Sequence, residues 1–352
     1  MFNFIMGVRE RGIDMNAEAA MKKLLNTVLA EDNREGREQD CWEWNAGVLV
    51  YGILNAYEQT QDGLYLDYIT DWVERNSRER FYGSVNAVIP CCAALKLYQL
   101  TGAEKYKELC DIYADWAMNQ SIKTANGGIA HVWSVGGLED YKNQLWADSV
   151  FMAGIFLVAY AKHIRDDALL DFALGQIRIH TDSLLDEEAD LFYHGYHCNE
   201  KKHMGQHWGR GNGWVAVTLA TVMALLGKDV SDGKFHALFV RVMEKAYACR
   251  TENQLLRTII DCEESYEEST ASMLFGYAAD LGAKAGVLDG RFSKWSEDIL
   301  KHLDFMDNGA VKYTSGGTDC FLEREPYLQI KFRQSSFADG ITFMFLSRFV
   351  ST

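Results

Sequence analysis

The segment from residue 194 to residue 214 collects side chains that could bind a polar ligand. It reads HGYHCNEKKHMGQHWGRGNGW, which is unusually dense in His, Trp, Gly and Arg. Flat indoles can stack on a sugar ring, a guanidinium can form a two-pronged contact with a carboxylate, and glycines let the backbone approach a ligand. We therefore interpret the segment as a binding surface. Its candidate contacts are His194, Trp208, Arg210 and Trp214.

A metal site is the main alternative for this segment, because His203 and His207 stand four residues apart. Zinc sites of this kind usually add a neighbouring Cys pair or an HExxH pattern, and neither is present. The sequence therefore favours a binding surface over a metal centre. We predict that the protein uses neither a metal nor an organic cofactor.

A second segment, GGIAHVWSVGGLEDYKNQLWADS, runs from residue 127 to residue 149 and places Asp148 at the start of an apolar stretch. Asp148 has two readings, which are compatible. It could cap a helix N-terminus, or it could donate a proton to a bound substrate from an apolar rim. The same segment supplies His131, Gln144 and Trp146 as candidate contacts.

Other candidate contacts are scattered along the chain. Trp44 and Asn86 stand at the starts of the first two apolar stretches. Two later loops, from residue 265 to 270 and from 315 to 340, hold further residues that could line the mouth of a site. Taken one by one these are ordinary loop residues: Tyr266, Glu267, Tyr327, Lys331, Arg333 and Ser336.

The elements that must position these residues are predicted to be helices. Six apolar stretches alternate with amphipathic ones, and the segment Ala17–Leu29 supplies the sixth amphipathic partner. This pattern predicts an all-α (α/α)6 toroid, formed by residues 1–352 as one domain, with the long loops gathered at the rim where the inner helices begin. Asn, Asp and Thr at the starts suggest helix N-caps. The apolar stretches begin near Asn45, Asn86, Asp148, Asn212, Thr270 and Asp339.

Composition narrows the functional class of this 352-residue chain. Hydrophobic residues make up 48%, and only two prolines occur, which favours a helical globular protein. A net charge of −15 argues against binding nucleic acid or anionic membranes. Eight scattered cysteines without a CxxC pair predict reduced thiols, and we expect no apolar run to be long enough to span a membrane. We expect a cytoplasmic monomer or weak homodimer.

Several motifs together resemble glycoside hydrolase family 105. They are HGY followed by HWGRGNGW, QLWADSVFMAG, GGIAHVW, SYEEST and a late SGGT, in order from about Trp42 to the C-terminus. That family comprises the unsaturated rhamnogalacturonyl hydrolases, which are related to the unsaturated glucuronyl hydrolases of family 88. The resemblance implies an (α/α)6 barrel, the architecture that the helical pattern predicts independently.

The resemblance also implies a reaction and a set of roles. The substrate would be a small anionic oligosaccharide, about a disaccharide, with a 4,5-unsaturated uronic acid at its non-reducing end. The carboxyl group of Asp148 would protonate C4 and then activate the water that adds at C5, with a pKa raised by its Trp-rich surroundings. His194, Arg210 and His131 would contact the sugar, and Trp208 and Trp214 would stack on it.

One departure bears on the substrate subclass. Related enzymes carry a second aspartate before the second inner helix, whereas this chain has the stretch YGSVN at residues 82–86. Ser84 or Asn86 could replace that carboxylate through hydrogen bonds. Two other functions stay open: a sugar 2-epimerase or isomerase that uses two histidines as acid and base, and a non-catalytic sugar-binding paralogue.

Overall fold

The computed structural model describes residues 16–31, 40–77, 83–132 and 141–350. Within these ranges the chain is mainly helical, with five short strands. The helices are α1 (Ala17–Glu31), α2 (Trp44–Thr60), α3 (Gly63–Asn76), α4 (Cys91–Thr101), α5 (Glu104–Asp115, continued by a π-helical turn Trp116–Gln120), α6 (Ala147–Ile164), α7 (Asp167–Leu184), α8 (Gly209–Leu226), α9 (Lys234–Ala248), α10 (Ser269–Lys284), α11 (Gly290–His302), α12 (Arg324–Leu328) and α13 (Ser336–Ser347). The strands are β1 (Gln144–Trp146), β2 (Leu185–Asp186), β3 (Leu191–Phe192), β4 (Gly195–His197) and β5 (Lys202–Met204).

Six helices form a closed inner ring. Each packs against the next in the order α2, α4, α6, α8, α10 and α13, and α13 returns to α2. The outer helices α3, α5, α7, α9 and α11 each pack on the inner helix that precedes them in the chain, and α1 covers α13. The predicted (α/α)6 toroid is therefore confirmed, with the N-terminal helix as the sixth outer partner.

The two kinds of helix differ in how much of their surface is buried. In α3, the residues at positions 65, 68, 69 and 72 are buried, which is the apolar stripe of an amphipathic helix. In α6 almost every residue from Val150 to Val158 is buried, because this helix has neighbours on all sides. Trp72, Trp116 and Trp295 of the outer layer are core residues, as expected.

Glycines let the first and last inner helices approach closely enough to close the ring. A Cβ atom added at Gly52 would lie 2.0 Å from the carbonyl oxygen of Gly340, and one at Gly340 would lie 2.3 Å from that of Val48. Any larger residue would force the two backbones apart. Contact between α2 and α13 therefore depends on both glycines.

The expectation that no segment is long enough to cross a membrane is wrong for α6. Ala147–Ile164 passes that test by length and composition, and it does so as an inner helix of which 72% is buried. Burial on all sides requires the same apolar composition that a membrane span requires. All eight cysteines are free thiols, as the sequence predicts.

The inner helices begin near the predicted positions, but the predicted Asn and Asp caps are wrong. The residues before α2, α6, α8, α10 and α13 are Glu43, Trp146, Trp208, Glu268 and Ser335. Asn212 instead bonds the backbone of Phe192, donating to its carbonyl and accepting from its N–H, both at 2.7 Å.

The second inner helix departs furthest from the expected start at Asn86. A single 3-10 turn, Val85–Ala87, comes first, and α4 begins only at Cys91. Pro90 precedes α4, at a position where its missing N–H costs nothing.

Candidate functional site

A small antiparallel sheet joins the two segments that the sequence analysis singled out. Strand β1 leads into α6 and pairs with β4, so that Trp146 lies opposite Gly195, and β5 completes the sheet. The N–H of Ala147 donates to the carbonyl of His194 at 2.9 Å. This pairing places Asp148, in the first turn of α6, beside His194.

Asp148 and His194 form the centre of the site. Oδ2 of Asp148 lies 3.3 Å from Nε2 of His194; the imidazole is fully buried, and the carboxylate side chain is 17% exposed. The two groups are close enough for an ion pair but are not aligned as a hydrogen bond. Neither atom has a hydrogen-bond partner among the described residues. Buried polar atoms are nearly always paired, so the pair retains hydrogen-bonding capacity for a ligand.

His194 is fixed on every other side. Its Nδ1 lies 2.7 Å from the hydroxyl of Tyr327, and its backbone N–H donates to Gln206. The ring centroids of Trp208 and Trp146 lie 4.2 and 5.2 Å from the imidazole. Tyr327 is fully buried, so it is not the ordinary loop residue that the sequence suggested.

The pKa of Asp148 is lower than usual, contrary to the expectation that its surroundings raise it. Burial raises the pKa, but His194, His131 and Arg210 together outweigh burial, with His194 contributing the most of the three. Burial lowers the pKa of His131 to about 4. In the absence of substrate, the carboxyl group is therefore ionised at neutral pH.

The other candidates of the 127–149 segment form a wall next to Asp148. The His131 imidazole stacks on Trp146, with ring centroids 4.1 Å apart, and its Nδ1 lies 2.9 Å from the Ser149 hydroxyl. The indole N–H of Trp146 donates to Oε1 of Gln144 at 2.8 Å. All three predicted residues thus meet at the site, together with Ser149, which the sequence analysis did not include.

Arg210 is buried and directed at a loop rather than at the mouth of the site. Nη1 donates to the carbonyl of Ser315 at 3.1 Å and to its hydroxyl at 2.8 Å. Nη2 donates to the Gly316 carbonyl at 2.7 Å and to the Thr318 hydroxyl at 3.0 Å. The guanidinium lies between the rings of Trp208 and Phe337, 4.7 Å from each centroid. The expected two-pronged contact with a substrate carboxylate does not fit this arrangement, because both prongs are already engaged.

Glu268 completes the network that holds this loop, and the sequence analysis missed it. Its carboxylate accepts from the N–H of Ser315 at 2.8 Å, from the backbone N–H groups of Thr270 and Ala271, and from the Thr270 hydroxyl at 2.6 Å. That hydroxyl in turn accepts from Arg210 at 3.2 Å. We call Arg210, Thr270 and Glu268 the loop clamp. An acid at the N-cap of α10 was the available signal.

The predicted stacking tryptophans are not available for a sugar. Trp208 and Trp214 are 2% and 1% exposed. The Trp208 ring faces His194 and Arg210, and the Trp214 ring faces Phe151. Of the tryptophans in the described ranges, only Trp44 is half-buried rather than buried. Its ring leans on Phe337, with centroids 5.0 Å apart. Trp44 therefore replaces Trp208 and Trp214 as the candidate for stacking.

Lys331 and Arg333 lie on the segment beside the clamped loop. Phe332 pairs with Ser315, the N–H of Arg333 donates to Thr314, and both cationic side chains are exposed. A Cβ atom at Gly316 would lie 3.1 Å from Nε of Arg333, so this side chain covers the loop. Arg333 is thus an exposed guanidinium next to the loop that Arg210 holds from below.

Asn86 lies at the start of the second inner helix, apart from these contacts. It is buried, and its N–H donates to the Ser84 hydroxyl at 3.2 Å. Burial raises the pKa of Glu43, while hydrogen bonds from the Trp44 N–H and from Ser84 oppose that rise. A carboxyl group therefore does reach Ser84, from the start of the neighbouring helix α2. The role of Ser84 and Asn86 as replacements for an aspartate stays a prediction.

His203 and His207, the pair considered for zinc, contact different groups. Nε2 of His203 lies 3.1 Å from the Ser183 carbonyl. His207 lies between two carboxylates, with Nδ1 2.7 Å from Asp261 and Nε2 3.4 Å from Asp186. The two imidazoles are thus used to hold neighbouring loops.

Comparison with known proteins agrees with this architecture. One relative, the unsaturated rhamnogalacturonyl hydrolase YesR of Bacillus subtilis, is 27% identical over 318 residues, which cover 89% of this chain and 90% of YesR. The unsaturated 3S-rhamnoglycuronyl hydrolase of Formosa agariphila is 23% identical over 70% of this chain and 68% of its own length. A crystal structure of a possible member of family GH105 from Salmonella enterica superposes with a TM-score of 0.89 at 21% identity, covering 97% of this chain and 96% of that chain.

The family assignment rests on the whole chain rather than on single motifs. The sequence profile of Glycosyl Hydrolase Family 88 matches residues 14–350, which includes every helix of the barrel. This match favours a glycoside hydrolase over an epimerase on the same fold. The protein belongs to glycosyl hydrolase family 88, within the group of barrels that includes family GH105.

Proposed function

We propose that the protein removes a 4,5-unsaturated uronic acid from the non-reducing end of small oligosaccharides that a polysaccharide lyase produces. The observation that carries this proposal is the Asp148–His194 pair, in which a carboxylate oxygen and an imidazole nitrogen lie 3.3 Å apart with no other hydrogen-bond partner among the described residues. Acid–base chemistry on a vinyl ether needs one such carboxyl group. Relatives named unsaturated uronyl hydrolases support the substrate class.

In the proposed reaction, Asp148 transfers its proton to C4 of the C4=C5 double bond, which leaves positive charge at C5 shared with the ring oxygen. Water adds at C5, and the Asp148 carboxylate takes the proton that this water loses. The resulting hemiketal opens, and the hemiacetal left at C1 releases the next sugar. One water is consumed, and Asp148 ends in its starting protonation state.

Asp148 must be protonated before this reaction begins, although its pKa is low without substrate. A bound uronate brings a second negative charge and excludes water, and both effects raise the pKa of a nearby carboxyl group. We propose that substrate binding leads Asp148 to take up a proton from solvent, and that Nε2 of His194, 3.3 Å from Oδ2, holds the carboxyl group in place.

Other groups at the rim would bind the substrate. We propose that Arg333, with Lys331 nearby, binds the uronate carboxylate, since both side chains are exposed next to the loop 315–318. The half-buried ring of Trp44 would stack on the sugar. Arg210 would act indirectly, by holding the loop.

The remaining expectations concern the whole protein. We propose that residues 1–352 form one catalytic domain, that it works in the cytoplasm as a monomer or weak homodimer, and that it binds neither nucleic acid nor membranes. Eight free thiols and a net charge of −15 support these proposals.

A panel of lyase-generated disaccharides tests the function. The conjugated enol acid absorbs in the ultraviolet, and hydration of its double bond abolishes that absorbance. We expect the absorbance to fall with the wild-type protein and to persist with Asp148→Asn. Binding without any loss of absorbance would establish a sugar-binding paralogue, and a changed sugar with an intact chromophore would establish an epimerase.

A further inference from the structure

Ser149 carries a buried hydroxyl beside Asp148 that the proposed reaction does not use. It lies in the first turn of α6 and is 3% exposed. Its Oγ lies 2.9 Å from Nδ1 of His131 and has no other hydrogen-bond partner among the described residues. The hydroxyl and the imidazole therefore form a buried pair, and the places of their protons follow from what each group can bond.

The usual acceptor for a serine or threonine hydroxyl in a helix is missing at this position. Thr218, inside α8, donates its hydroxyl to the carbonyl of Trp214, four residues earlier, at 2.9 Å. The residue four positions before Ser149 is Leu145, which belongs to strand β1 rather than to α6. Within the described part of the chain, Nδ1 of His131 is the acceptor in place for the Ser149 hydroxyl.

The polar groups of the small cavity behind Ser149 are already used. Gln176 and His180 of α7 line this cavity together with Ser149. The Gln176 side chain accepts from the N–H of Ile129 at 2.7 Å and donates to a backbone carbonyl at 3.0 Å. The two ring nitrogens of His180 lie 2.8 and 3.2 Å from backbone carbonyls. These contacts hold the segment that carries His131 against α7.

These contacts determine the direction of the hydrogen bond between Ser149 and His131. If Nδ1 donated to Ser149, the buried hydroxyl proton would have no acceptor among the described residues, which is costly. If the hydroxyl donates to Nδ1, both groups are satisfied. Burial lowers the pKa of His131 to about 4, so the imidazole is neutral at pH 7 and carries one proton. With Nδ1 as an acceptor, that proton lies on Nε2.

Nε2 of His131 is the side of the ring that is left for a ligand. It has no hydrogen-bond partner among the described residues, while the ring stacks on Trp146 with centroids 4.1 Å apart. The backbone N–H of His131 donates to Gln144 at 2.9 Å. His131 and Asp148 also influence each other's pKa, so the two side chains are close enough to contact the same ligand.

We propose that Ser149 is a positioning residue that holds His131 in the tautomer with its proton on Nε2, so that His131 donates to an oxygen of the bound uronate and cannot act as a base. The identity of the ligand rests on the proposed function. A neutral donor binds this oxygen without placing a cation beside Asp148, where a positive charge would oppose protonation of the acid. The same tautomer also withholds from this site the histidine base that an epimerase would need.

NMR of the full-length protein labelled with 15N-histidine tests the tautomer directly, because protonated and bare ring nitrogens differ in chemical shift. The signals that vanish in His131→Gln assign this residue. At pH 7 we expect a protonated Nε2 and a bare Nδ1 in the wild-type protein, and a mixture of both tautomers in Ser149→Ala. A proton on Nδ1 in the wild type, or an unchanged pattern in Ser149→Ala, would overturn the inference.

Calorimetric titration of an unsaturated disaccharide into the Asp148→Asn protein tests the consequence for binding. Adding Ser149→Ala should weaken binding about three- to tenfold, the range of one hydrogen bond, and Ser149→Thr, which keeps the hydroxyl, should restore most of it. In a His131→Gln background, Ser149→Ala should have no further effect, because the group that it positions is gone.

Ser347→Ala is the matched control. Ser347 is a buried serine that donates to a backbone carbonyl at the last residue of α13, at the end opposite the rim, so its loss should leave binding unchanged. Additive effects of Ser149→Ala and His131→Gln, or equal effects of Ser149→Ala and Ser347→Ala, would overturn the inference. The NMR pattern of the wild type decides the question even if the variants at position 149 do not fold.

Failure of the proposed function would look different. The wild-type protein would then leave the ultraviolet absorbance of every disaccharide intact, while the ring nitrogens of His131 would still show the proton on Nε2.

Discussion

Two buried polar clusters meet at Trp208 and differ in how completely their atoms are paired. In the loop clamp, Arg210 donates to Thr270, Ser315, Gly316 and Thr318, and Glu268 accepts from four donors. In the proposed catalytic centre, Oδ2 of Asp148 and Nε2 of His194 face each other without a hydrogen bond. The Trp208 ring touches both Arg210 and His194.

This difference is what we expect between a structural cluster and the proposed reactive one. A fully paired cluster fixes one geometry and has nothing left to offer a ligand, while an incompletely paired one keeps donors and acceptors for it. Both clusters contain a conspicuous motif residue, Arg210 in one and Asp148 in the other. Their roles follow from the pairing rather than from the residue type.

The largest expected effect is on Asp148. Because the carboxyl group is proposed to carry the reacting proton, Asp148→Asn should lower kcat by about 100- to 10,000-fold, the usual contribution of a positioned acid or base. Stability should change little, since Asn has nearly the size of Asp and the N-cap residue of α6 is Trp146 rather than Asp148. Ultraviolet turnover assays and thermal unfolding measure the two quantities. Retention of more than about a tenth of kcat would exclude Asp148 as the acid.

Removing the cation of the loop clamp should cost stability instead. Arg210→Leu leaves the buried acceptors of Ser315, Gly316 and Thr318 without their donor, and each buried polar group left unpaired typically costs about 1–3 kcal/mol. Guanidinium chloride unfolding measures the free energy. Arg210→Lys should recover part of it, because an ammonium keeps the charge but cannot reach Ser315, Gly316 and Thr318 together.

The same variants decide between the two roles of Arg210. If it contacts the substrate carboxylate, Arg210→Lys would raise KM strongly while the free energy of unfolding stays near that of the wild type. Arg333→Gln is the matched comparison, because its exposed side chain lies outside the clamp. We expect Arg333→Gln to raise KM and to leave the unfolding free energy within about 0.5 kcal/mol of the wild-type value.

Much of the fold could be predicted because it depends on periodicity. Alternating apolar and amphipathic stretches determine which helices lie inside, and the toroid follows from their number and order. The helix caps could not be predicted in this way. Asn212 has a residue type that suits a cap, yet its amide bonds Phe192, which only the tertiary structure brings close.

The proposed catalytic centre was partly predictable, for a related reason. Asp148 and His194 stand in recognisable motifs, but the partner of His194 is Tyr327, 133 residues later in the chain. The direction of the Arg210 side chain is equally invisible in the sequence, since the same WGR motif could present a guanidinium to ligand or to protein. Motifs therefore predicted which residues matter better than what each one contacts.

An intermediate effect is expected for His131, whose burial lowers its pKa to about 4. Between pH 6.5 and 4 the unfolded chain binds a proton at this position and the folded protein does not, so stability falls as the pH falls through that window. The contribution is about 2 kcal/mol between pH 7 and 5. Guanidinium chloride unfolding measures the free energy of unfolding at pH 7 and at pH 5. Its fall between these two pH values should be about 2 kcal/mol smaller in His131→Gln than in the wild-type protein. An unchanged difference would mean that His131 is not the group responsible.

The smallest effect we predict concerns Tyr327, which touches His194 but not Asp148. Its hydroxyl lies 2.7 Å from Nδ1 of His194. By donating to Nδ1, it would keep the proton of a neutral imidazole on Nε2, facing Asp148. Without it, the ring can present a bare Nε2 lone pair to the carboxylate, and the Nε2–H group that holds Asp148 in position is lost. Tyr327→Phe should therefore lower kcat about three- to tenfold, the range of one hydrogen bond, with little change in KM.

A matched control separates this effect from a loss of packing. Tyr277 is also buried, and its hydroxyl donates to Asn55 at 2.9 Å on the inner helices α10 and α2, outside the catalytic centre. Tyr277→Phe should cost a similar free energy of unfolding, about 1 kcal/mol, and leave kcat unchanged. The pH dependence of kcat adds a second criterion, because only the loss of a partner of His194 changes the hydrogen-bonding groups around Asp148 and with them the pKa of that carboxyl group. If both variants lower kcat equally and neither shifts that profile, Tyr327 supports the fold alone.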